Sequence, residues 1–339
     1  MRIVLDAMGG DKAPGVIVEG GIAALEEAGR DLEIILVGRI ETLEAEISRL
    51  GLSSHPFELV DARDVIDFDD QPAVTLRKKK DSSIAVGLRL QRDGKAEGFV
   101  SAGNTGAVVA NGLFTLGRIP GVSRPGIATF IPNQGGVGIL LDVGATIDCT
   151  PEHLFQFAVM GACYAELVLD IPNPRVGLLN VGEESSKGTE AVQETYKALE
   201  RSGLNFIGNA EGRDILAGSV DVVVCDGFVG NVVLKFTESV VGMVYSVMRG
   251  SATSTLRGKL GGLLLKPAFK ELKARFDYAE YGGAPLLGLN GVCTIAHGSS
   301  SGRAIKNAVL ATTRYIRYDV RSAIEERLAK SERTAAEGA

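Results

Sequence analysis

Short apolar runs alternate with amphipathic helical patterns along nearly the whole chain, and this alternation constrains the fold more than any other feature. Runs at 3–6, 33–37, 98–101, 128–131, 138–142, 175–179, 206–208, 220–225 and 292–295 read as strands. Helical periodicity fills 16–28, 40–50, 84–93, 153–169, 189–202, 230–248 and 302–330. Such alternation builds a mostly parallel sheet with helices packed on it. In the last helix Ala304, Ile305, Ala308, Val309, Thr312, Ile316 and Val320 recur at helical spacing, a core-facing stripe. No solenoid repeat and no Pro/Ser-rich linker interrupts the pattern. Residues 1–330 therefore read as a single large α/β unit of two intimate halves, and 331–339 as a frayed, disordered tail.

The strand ends are rich in glycine. The chain has 43 glycines, against about 24 at the usual ~7%. Ser101-Ala102-Gly103-Asn104-Thr105-Gly106-Ala107 follows one strand, and Asp226-Gly227-Phe228-Val229-Gly230-Asn231 follows another roughly 125 residues later. Each loop runs into an apolar helix, whose unbonded N–H groups and dipole favour an anion. Glycine permits close backbone approach, and asparagine adds a donor and an acceptor without charge. Together the loops suggest one site built from both halves; taken singly, either can be a tight turn that needs glycine for sterics. Asp6-Ala7-Met8-Gly9-Gly10 ends the first strand, where open α/β sheets bind ligands. Further loops of this type are Leu141-Asp142-Val143-Gly144-Ala145, Asn180-Val181-Gly182-Glu183-Glu184 with Lys187-Gly188, Gly208-Asn209-Ala210-Glu211-Gly212, Tyr281-Gly282-Gly283-Ala284-Pro285 and His297-Gly298-Ser299-Ser300.

Composition excludes several function classes. A net charge of −6, no tryptophan and 6% aromatics leave neither a cationic face nor stacking platforms for nucleic acid. Cys149, Cys163, Cys225 and Cys293 form no CxxC pair, and three histidines are too few for an evident zinc site, so reduced, buried thiols and no metal are expected. The first strand lacks the GxGxxG fingerprint, and Val37-Gly38-Arg39 stands where a ribose-binding acid would be, which disfavours a nicotinamide cofactor. The N-terminus has no signal-peptide pattern, and no continuous apolar stretch reaches spanning length.

One segment breaks the charge balance. Between 249 and 275 lie seven basic residues (Arg249, Arg257, Lys259, Lys266, Lys270, Lys273, Arg275) and one acidic residue, Glu271. Within it, Leu260-Gly261-Gly262-Leu263-Leu264-Leu265-Lys266-Pro267 reads as the corner of a helical hairpin. The hairpin is either buried or projects, with Leu260, Leu263, Leu264 and Leu265 touching a bilayer or an oligomer partner.

The strings DAMGGDKAP, RKKKDSS, SAGNTGA, LDVGA, LLNVGEESSKG, GNAEGRD, CDGFVGNVVLKF, YGGAPLLGLNG and AHGSS resemble, in order and from Met1 to about Tyr318, the bacterial PlsX family of phosphate acyltransferases. The resemblance implies a three-layer α/β/α fold similar to the isopropylmalate dehydrogenases and phosphotransacetylases, with a projecting helical hairpin. It implies transfer of a long-chain fatty acyl group from acyl carrier protein to inorganic phosphate, giving acyl phosphate for phospholipid synthesis, with no cofactor. It also implies a cytoplasmic homodimer, peripherally associated with the membrane surface where a downstream acyltransferase passes the product to glycerol 3-phosphate. Thr146 stands where the family usually has asparagine, and Ser301 where it has asparagine or aspartate. A short-chain phosphotransacetylase using acyl-CoA is the alternative activity; a dehydrogenase and a non-catalytic membrane scaffold are weaker ones.

In such a reaction phosphate is the nucleophile, so position and charge dominate over acid–base chemistry. The expected contacts to phosphate and substrate are Asp6, Gly9, Gly10, Ser101, Gly103, Asn104, Thr105, Gly106, Asn180, Gly182, Gly227, Gly230, Gly298, Ser299 and Ser300. The expected catalytic residues are Lys187, Asn231, His297 and Asp226. Asn231 and the Gly227 to Gly230 amides would face the oxyanion, and His297 would meet phosphate or the departing sulfur unless its ring merely closes its turn. Asp6 and Asp226 would orient Lys187 or His297, or else cap helices. Acyl carrier protein is acidic, so Arg77, Lys78 and Lys79, with Lys259 and Lys266, are its docking candidates; a solvated charge cluster is the plainer reading of that first run.

Overall fold

A computed structural model describes residues 1–51, 56–253, 255–275 and 280–337 of the chain. The first half runs β1 (Arg2–Asp6), α1 (Gly15–Ala28), β2 (Glu33–Gly38), α2 (Ile40–Arg49), β3 (Phe57–Asp61), α3 (Pro72–Lys78), α4 (Ser83–Arg92), β4 (Gly98–Ser101) and α5 (Thr105–Leu116). The second runs β5 (Gly126–Asn133), β6 (Gly136–Leu141), α6 (Pro151–Val168), β7 (Val176–Leu179), α7 (Glu190–Glu200), β8 (Phe206–Ala210), α8 (Gly212–Ala217), β9 (Val222–Val224), α9 (Gly227–Thr253) and α10 (Leu256–Arg275). The chain then returns to the first half through β10 (Ala284–Leu287), β11 (Val292–Ile295), α11 (Gly302–Arg317) and α12 (Val320–Glu337).

The inner strands are apolar at successive positions because helices cover both faces of the sheet. In β1, Ile3 and Leu5 pack with Ile17 and Val18 of α1 and with Ile305 and Val309 of α11. Val4 points the other way, to Ile84 and Leu88 of α4 and Val108 of α5. The second half repeats the sandwich: Ile139 and Leu141 meet Phe157 and Met160 of α6, whereas Leu140 shares a cluster with Ile215 of α8. Helix starts are set by capping side chains. Ser82, Asn104, Thr150, Thr189 and Ser301 each accept an amide of the first turn. The departure at Ser301 therefore replaces one good capping residue with another.

Among the described residues eleven strands lie in the order β3-β2-β1-β4-β11-β10-β5-β6-β9-β7-β8. Pairing is parallel from β3 to β11, antiparallel across β11-β10-β5-β6, and parallel again from β6 to β8. The central antiparallel strands reverse the sense of the sheet, so β9 runs opposite to β4. Four strands separate them, about 24 Å at the usual interstrand spacing. The two glycine loops thus emerge from different parts of the sheet.

Several expectations need correction. The final helix breaks at Asp319, whose φ of 44° ends α11, so 302–330 is two helices. α12 continues to Glu337, making the expected tail helical from Ser331 to there; 338 and 339 lie outside the described residues. β3 was not expected because Glu58 and Asp61 dilute an edge strand, nor was β10, hidden behind a Tyr-Gly-Gly turn. The hairpin is larger than 249–275, for α9 begins at Gly227. Its corner falls between Thr253 and Leu256, and Gly261, Gly262 and Pro267 all lie inside α10. A Cβ on Gly262 would stand 3.0 Å from that of Ala252, so this glycine lets two helices close rather than turning the chain. α9 is also long and apolar enough, by length and composition alone, to cross a membrane. Continuous-run counting misses it because Lys235 and Glu238 interrupt the run.

Candidate active site

At the ends of the adjacent strands β1, β4 and β11, three loops gather around one carboxyl. Asp6 is fully buried. Its Oδ2 accepts from Ser101 Oγ at 2.6 Å and its Oδ1 from Met8 N at 3.1 Å; Gly103 N in turn donates to Ser101 Oγ at 3.0 Å. A Cβ on Gly9 would lie 2.6 Å from both Asp6 Oδ2 and Gly103 N, so glycine is obligatory there. Gly298 O accepts from Asp11 N at 2.8 Å, which brings the turn after β11 beside Gly10. Burial pushes the Asp6 carboxyl up, against the hydrogen bonds from Ser101, Ser83, Met8 and Gly9.

Asn104 is not free to bind a ligand through its side chain. Its amide donates to the carbonyls of Asp67, Phe68 and Asp70, and its Oδ1 accepts from Ala107 N at 2.9 Å. The asparagine therefore anchors the 67–70 segment over the loop. Lys79 anchors the same segment, donating to Val65 O at 2.6 Å and pairing with Asp67 and Asp70. That pairing removes Lys79 from the exposed docking charges, whereas Arg77 and Lys78 remain exposed. Phe68 lies against Gly298, where a Cβ would meet its ring at 2.8 Å. No sequence signal marked 67–70, because Asn104 holds the segment by its backbone carbonyls.

This group of loops, cluster one, leaves backbone amides and a buried hydroxyl available among the described residues. Among the described residues the N–H groups of Thr105 and Gly106, the first two of α5, have no hydrogen bond within the chain. Ser300, 2% exposed, has a hydroxyl without a partner among the described residues. His297 is exposed, and its Nδ1 lies 2.8 Å from Ser299 Oγ and accepts from Ser299 N at 3.2 Å, so the ring and Ser299 close their own turn.

The second cluster, at the ends of β6 and β9, has the same plan with a different outcome. Asp142, also 0% exposed, accepts from Ile127 N, Gly144 N, Ala145 N and Thr146 N at 2.7–3.1 Å. Its carboxyl too is pushed up by burial, against those backbone hydrogen bonds. Gly227 N donates to Thr146 O at 2.8 Å, Val229 N to Asp226 Oδ1 at 2.9 Å and Gly230 N to Asp226 O at 2.9 Å. Asn231 donates to Val143 O at 3.0 Å. Of the oxyanion donors expected here, the Gly227, Val229 and Gly230 amides and one Asn231 N–H are thus taken by the fold, the Phe228 N–H has no partner among the described residues, and Asp226 is a helix cap. A Cβ on Gly230 would overlap Asp142 O and press on Cys225 Sγ at 2.9 Å, so its glycine is steric. Thr146, the other departure, serves through its backbone and gives its hydroxyl to Pro125 O.

Asn180, Gly182 and Lys187 fall beside this second cluster, at the end of β7. Asn180 Nδ2 donates to Lys187 O at 3.0 Å, and the exposed Lys187 lays its stem along Gly182. A cavity of about 350 Å³ joins the starts of α7 and α9, with Ile147, Leu154, Val192, Phe228 and Val229 as apolar walls. Its charged lining residues are Asp148 and Asp226, which makes it a poor seat for an anion. Cys149 lines it as well, but burial first, then the charge of Asp142, pushes that thiol up to about 12. Burial, then the charge of Asp142, pushes the Cys225 thiol well up too, which removes both as thiolate nucleophiles near neutral pH. Asp6, Gly9, Gly10, Ser101, Gly103 to Gly106 and His297 to Ser300 thus form one group; Asn180, Gly182, Lys187, Asp226, Gly227, Gly230 and Asn231 form another.

The architecture is one shared with phosphotransacylases and with certain dehydrogenases. A phosphotransacetylase from Streptococcus pyogenes superposes with a TM-score of 0.65 at 20% identity, covering 94% of each chain. A 4-hydroxythreonine-4-phosphate dehydrogenase from Klebsiella pneumoniae gives 0.55 at 12% identity, over 93% of this chain and 97% of that one. The chain belongs to the family described as fatty acid synthesis protein, which matches residues 1–323. Its relatives include the phosphate acyltransferase of Pelotomaculum thermopropionicum, 49% identical over 96% of this chain and 95% of that protein. That of Heliobacterium modesticaldum is 50% identical over 97% and 98%.

Proposed function

We propose that the protein transfers a long-chain fatty acyl group from acyl carrier protein to inorganic phosphate, and that phosphate sits at cluster one. The observation that carries this placement is a difference in free donors: among the described residues Thr105 N–H, Gly106 N–H and the buried Ser300 hydroxyl lack partners at cluster one, whereas the start of α9 keeps only the Phe228 N–H, in a cavity whose charged walls are Asp148 and Asp226. A phosphate oxygen attacks the thioester carbonyl carbon, the new C–O bond forms, the C–S bond breaks, and the carrier leaves as its thiol. A neutral amide seat orients phosphate without drawing off its nucleophilic charge.

α3 begins beside this seat, since a Cβ on Gly106 would meet Pro72 at 2.6 Å. Arg77 and Lys78 on that helix are therefore well placed to receive an acidic carrier protein. Charge reversal at Lys78 is expected to raise KM for carrier-bound substrate, and unchanged kinetics would remove the helix from the docking surface. Lys259 and Lys266 flank exposed Leu260, Leu263, Leu264 and Leu265 on α10, a combination suited to an anionic bilayer. The reading is of a cytoplasmic enzyme resting on the membrane, delivering a reactive product to an acyltransferase there. Liposome pelleting of a Leu263→Gln/Leu264→Gln variant tests it: unaltered pelleting rules these leucines out. A second copy of the chain would cover the exposed Phe228, Val232 and Phe236 face of α9, and a monomer by light scattering would refute that.

The activity itself is tested by incubating the protein with palmitoyl carrier protein and phosphate, trapping acyl phosphate with hydroxylamine. Absence of hydroxamate defeats the reading, and turnover of acetyl-CoA alone would favour a short-chain phosphotransacetylase.

A further inference from the structure

We propose that Asp6 is a positioning residue for phosphate, acting through Ser101 on the amides at the start of α5. The inference rests on the phosphate seat placed above. Asp6 reaches neither Lys187 nor His297 by any hydrogen bond described for it; what it touches is the frame of the loop. Ser101 Oγ is held from both sides, donating to Asp6 Oδ2 at 2.6 Å and accepting Gly103 N at 3.0 Å. Gly103 immediately precedes Asn104, the cap of α5, so its orientation sets the direction in which Thr105 and Gly106 N–H emerge.

The same carboxyl also receives Ser83, the first residue of α4, and the Met8 and Gly9 amides. Three distant motifs, Asp-Ala-Met-Gly-Gly, Lys-Asp-Ser-Ser and Ser-Ala-Gly-Asn, thus converge on one buried group. A Cβ on Gly103 would lie 3.2 Å from Ser101 Oγ and 3.3 Å from Asp6 Oδ2, so the loop is seated closely on this pair. Removing Ser101 Oγ leaves Gly103 N and an Asp6 oxygen without their partner inside the protein, a loss that the loop relieves by moving.

The test is steady-state kinetics of the full-length protein, varying phosphate and acyl carrier protein thioester separately. Asp6→Ala and Ser101→Ala are expected to raise KM for phosphate about tenfold, with KM for the thioester changing less than about twofold. Asp6→Asn, which keeps the shape and one acceptor, restores most of the phosphate affinity. Ser300→Ala serves as the marker of the seat. If Ser300→Ala raises KM for phosphate while Ser101→Ala and Asp6→Ala do not, the seat stands and the role of Asp6 is overturned. If none of the three changes it, phosphate binds elsewhere and both fall. Should Asp6→Ala be insoluble, Ser101→Ala decides, because it leaves the carboxyl in place. Failure of the wild-type protein to form acyl phosphate is a separate result, which removes the activity itself.

Discussion

At the end of β4 the start of α5 keeps two N–H groups unbonded above a carboxyl wired through a serine. At the end of β9 the start of α9 has given the Gly227, Val229 and Gly230 amides to Thr146 and Asp226 and its asparagine to Val143, which leaves the Phe228 N–H alone unbonded there among the described residues. The frames are otherwise equivalent. Asp6 ends β1 beside Ser101, and Asp142 follows β6 beside Cys225, both acids being buried completely. The difference lies in what the acid holds. Asp6 bonds the neighbouring strand's loop through a hydroxyl, whereas Asp142 folds its own loop onto itself with three amides and takes a fourth from Ile127 of β5, and the Cys225 thiol donates to the Asp142 carbonyl. A helix N-terminus becomes a binding site only where the fold has not already satisfied it.

The contrast can be broken most forcefully at its tightest point. Gly230→Ala drives a methyl into the Asp142 backbone and is expected to destabilise the protein by roughly 3 kcal/mol or more. Gly103→Ala meets only contacts of 3.2 Å and longer and should cost about 1 kcal/mol. Equal shifts in denaturant midpoint would show that the two loops are packed alike. Next in size is Asp142→Ala, which orphans several amides and should cost about 2–3 kcal/mol in the same assay, with no change in KM for phosphate among molecules that fold. A phosphate defect there would mean that cluster two binds the nucleophile.

Asn104→Ala removes a cap and the anchor of 67–70, at a cost of about 1–2 kcal/mol. Protease cleavage within 67–70 should accelerate, and an unchanged rate would mean that Lys79 alone holds the segment. The smallest effect is electrostatic. Burial raises the Asp6 pKa above the model-compound value of 3.8, so the native state holds that proton more tightly than the unfolded chain. Stability from this group is therefore greatest at low pH and declines as pH rises from about 3.8 through the folded pKa. Asp6→Asn should abolish that decline, gaining on wild type as pH increases; parallel stability curves for the two proteins would contradict it.

The strand–helix alternation was readable because buried parallel strands must be apolar throughout, and nearly every inner strand was found where its β-branched run lies. The sheet's reversal was not readable. It depends on β10, a four-residue strand behind consecutive positive-φ glycines, and on the 126–133 strand pairing with both neighbours antiparallel. For the site, glycine position was informative and glycine purpose was not: Gly9 and Gly230 both stand where a side chain cannot fit, yet Gly9 packs on the buried acid of the phosphate seat and Gly230 on the backbone of Asp142. The asparagines carry the same ambiguity. A side chain that can bind a ligand can equally bind the backbone beside it, and here both do.

α9 carries a mechanical consequence. Its first turn is locked to Asp142 and Val143 by Gly227, Gly230 and Asn231, and its last residue is Thr253. Twenty-seven helical residues make a strut about 40 Å long. Whatever grips the outer end of that strut fixes both the height and the tilt at which the sheet's second half is carried. The hairpin is in this sense a stand-off, and a one-turn deletion from both of its arms would lower the whole body by about 5 Å without touching a single loop of either cluster.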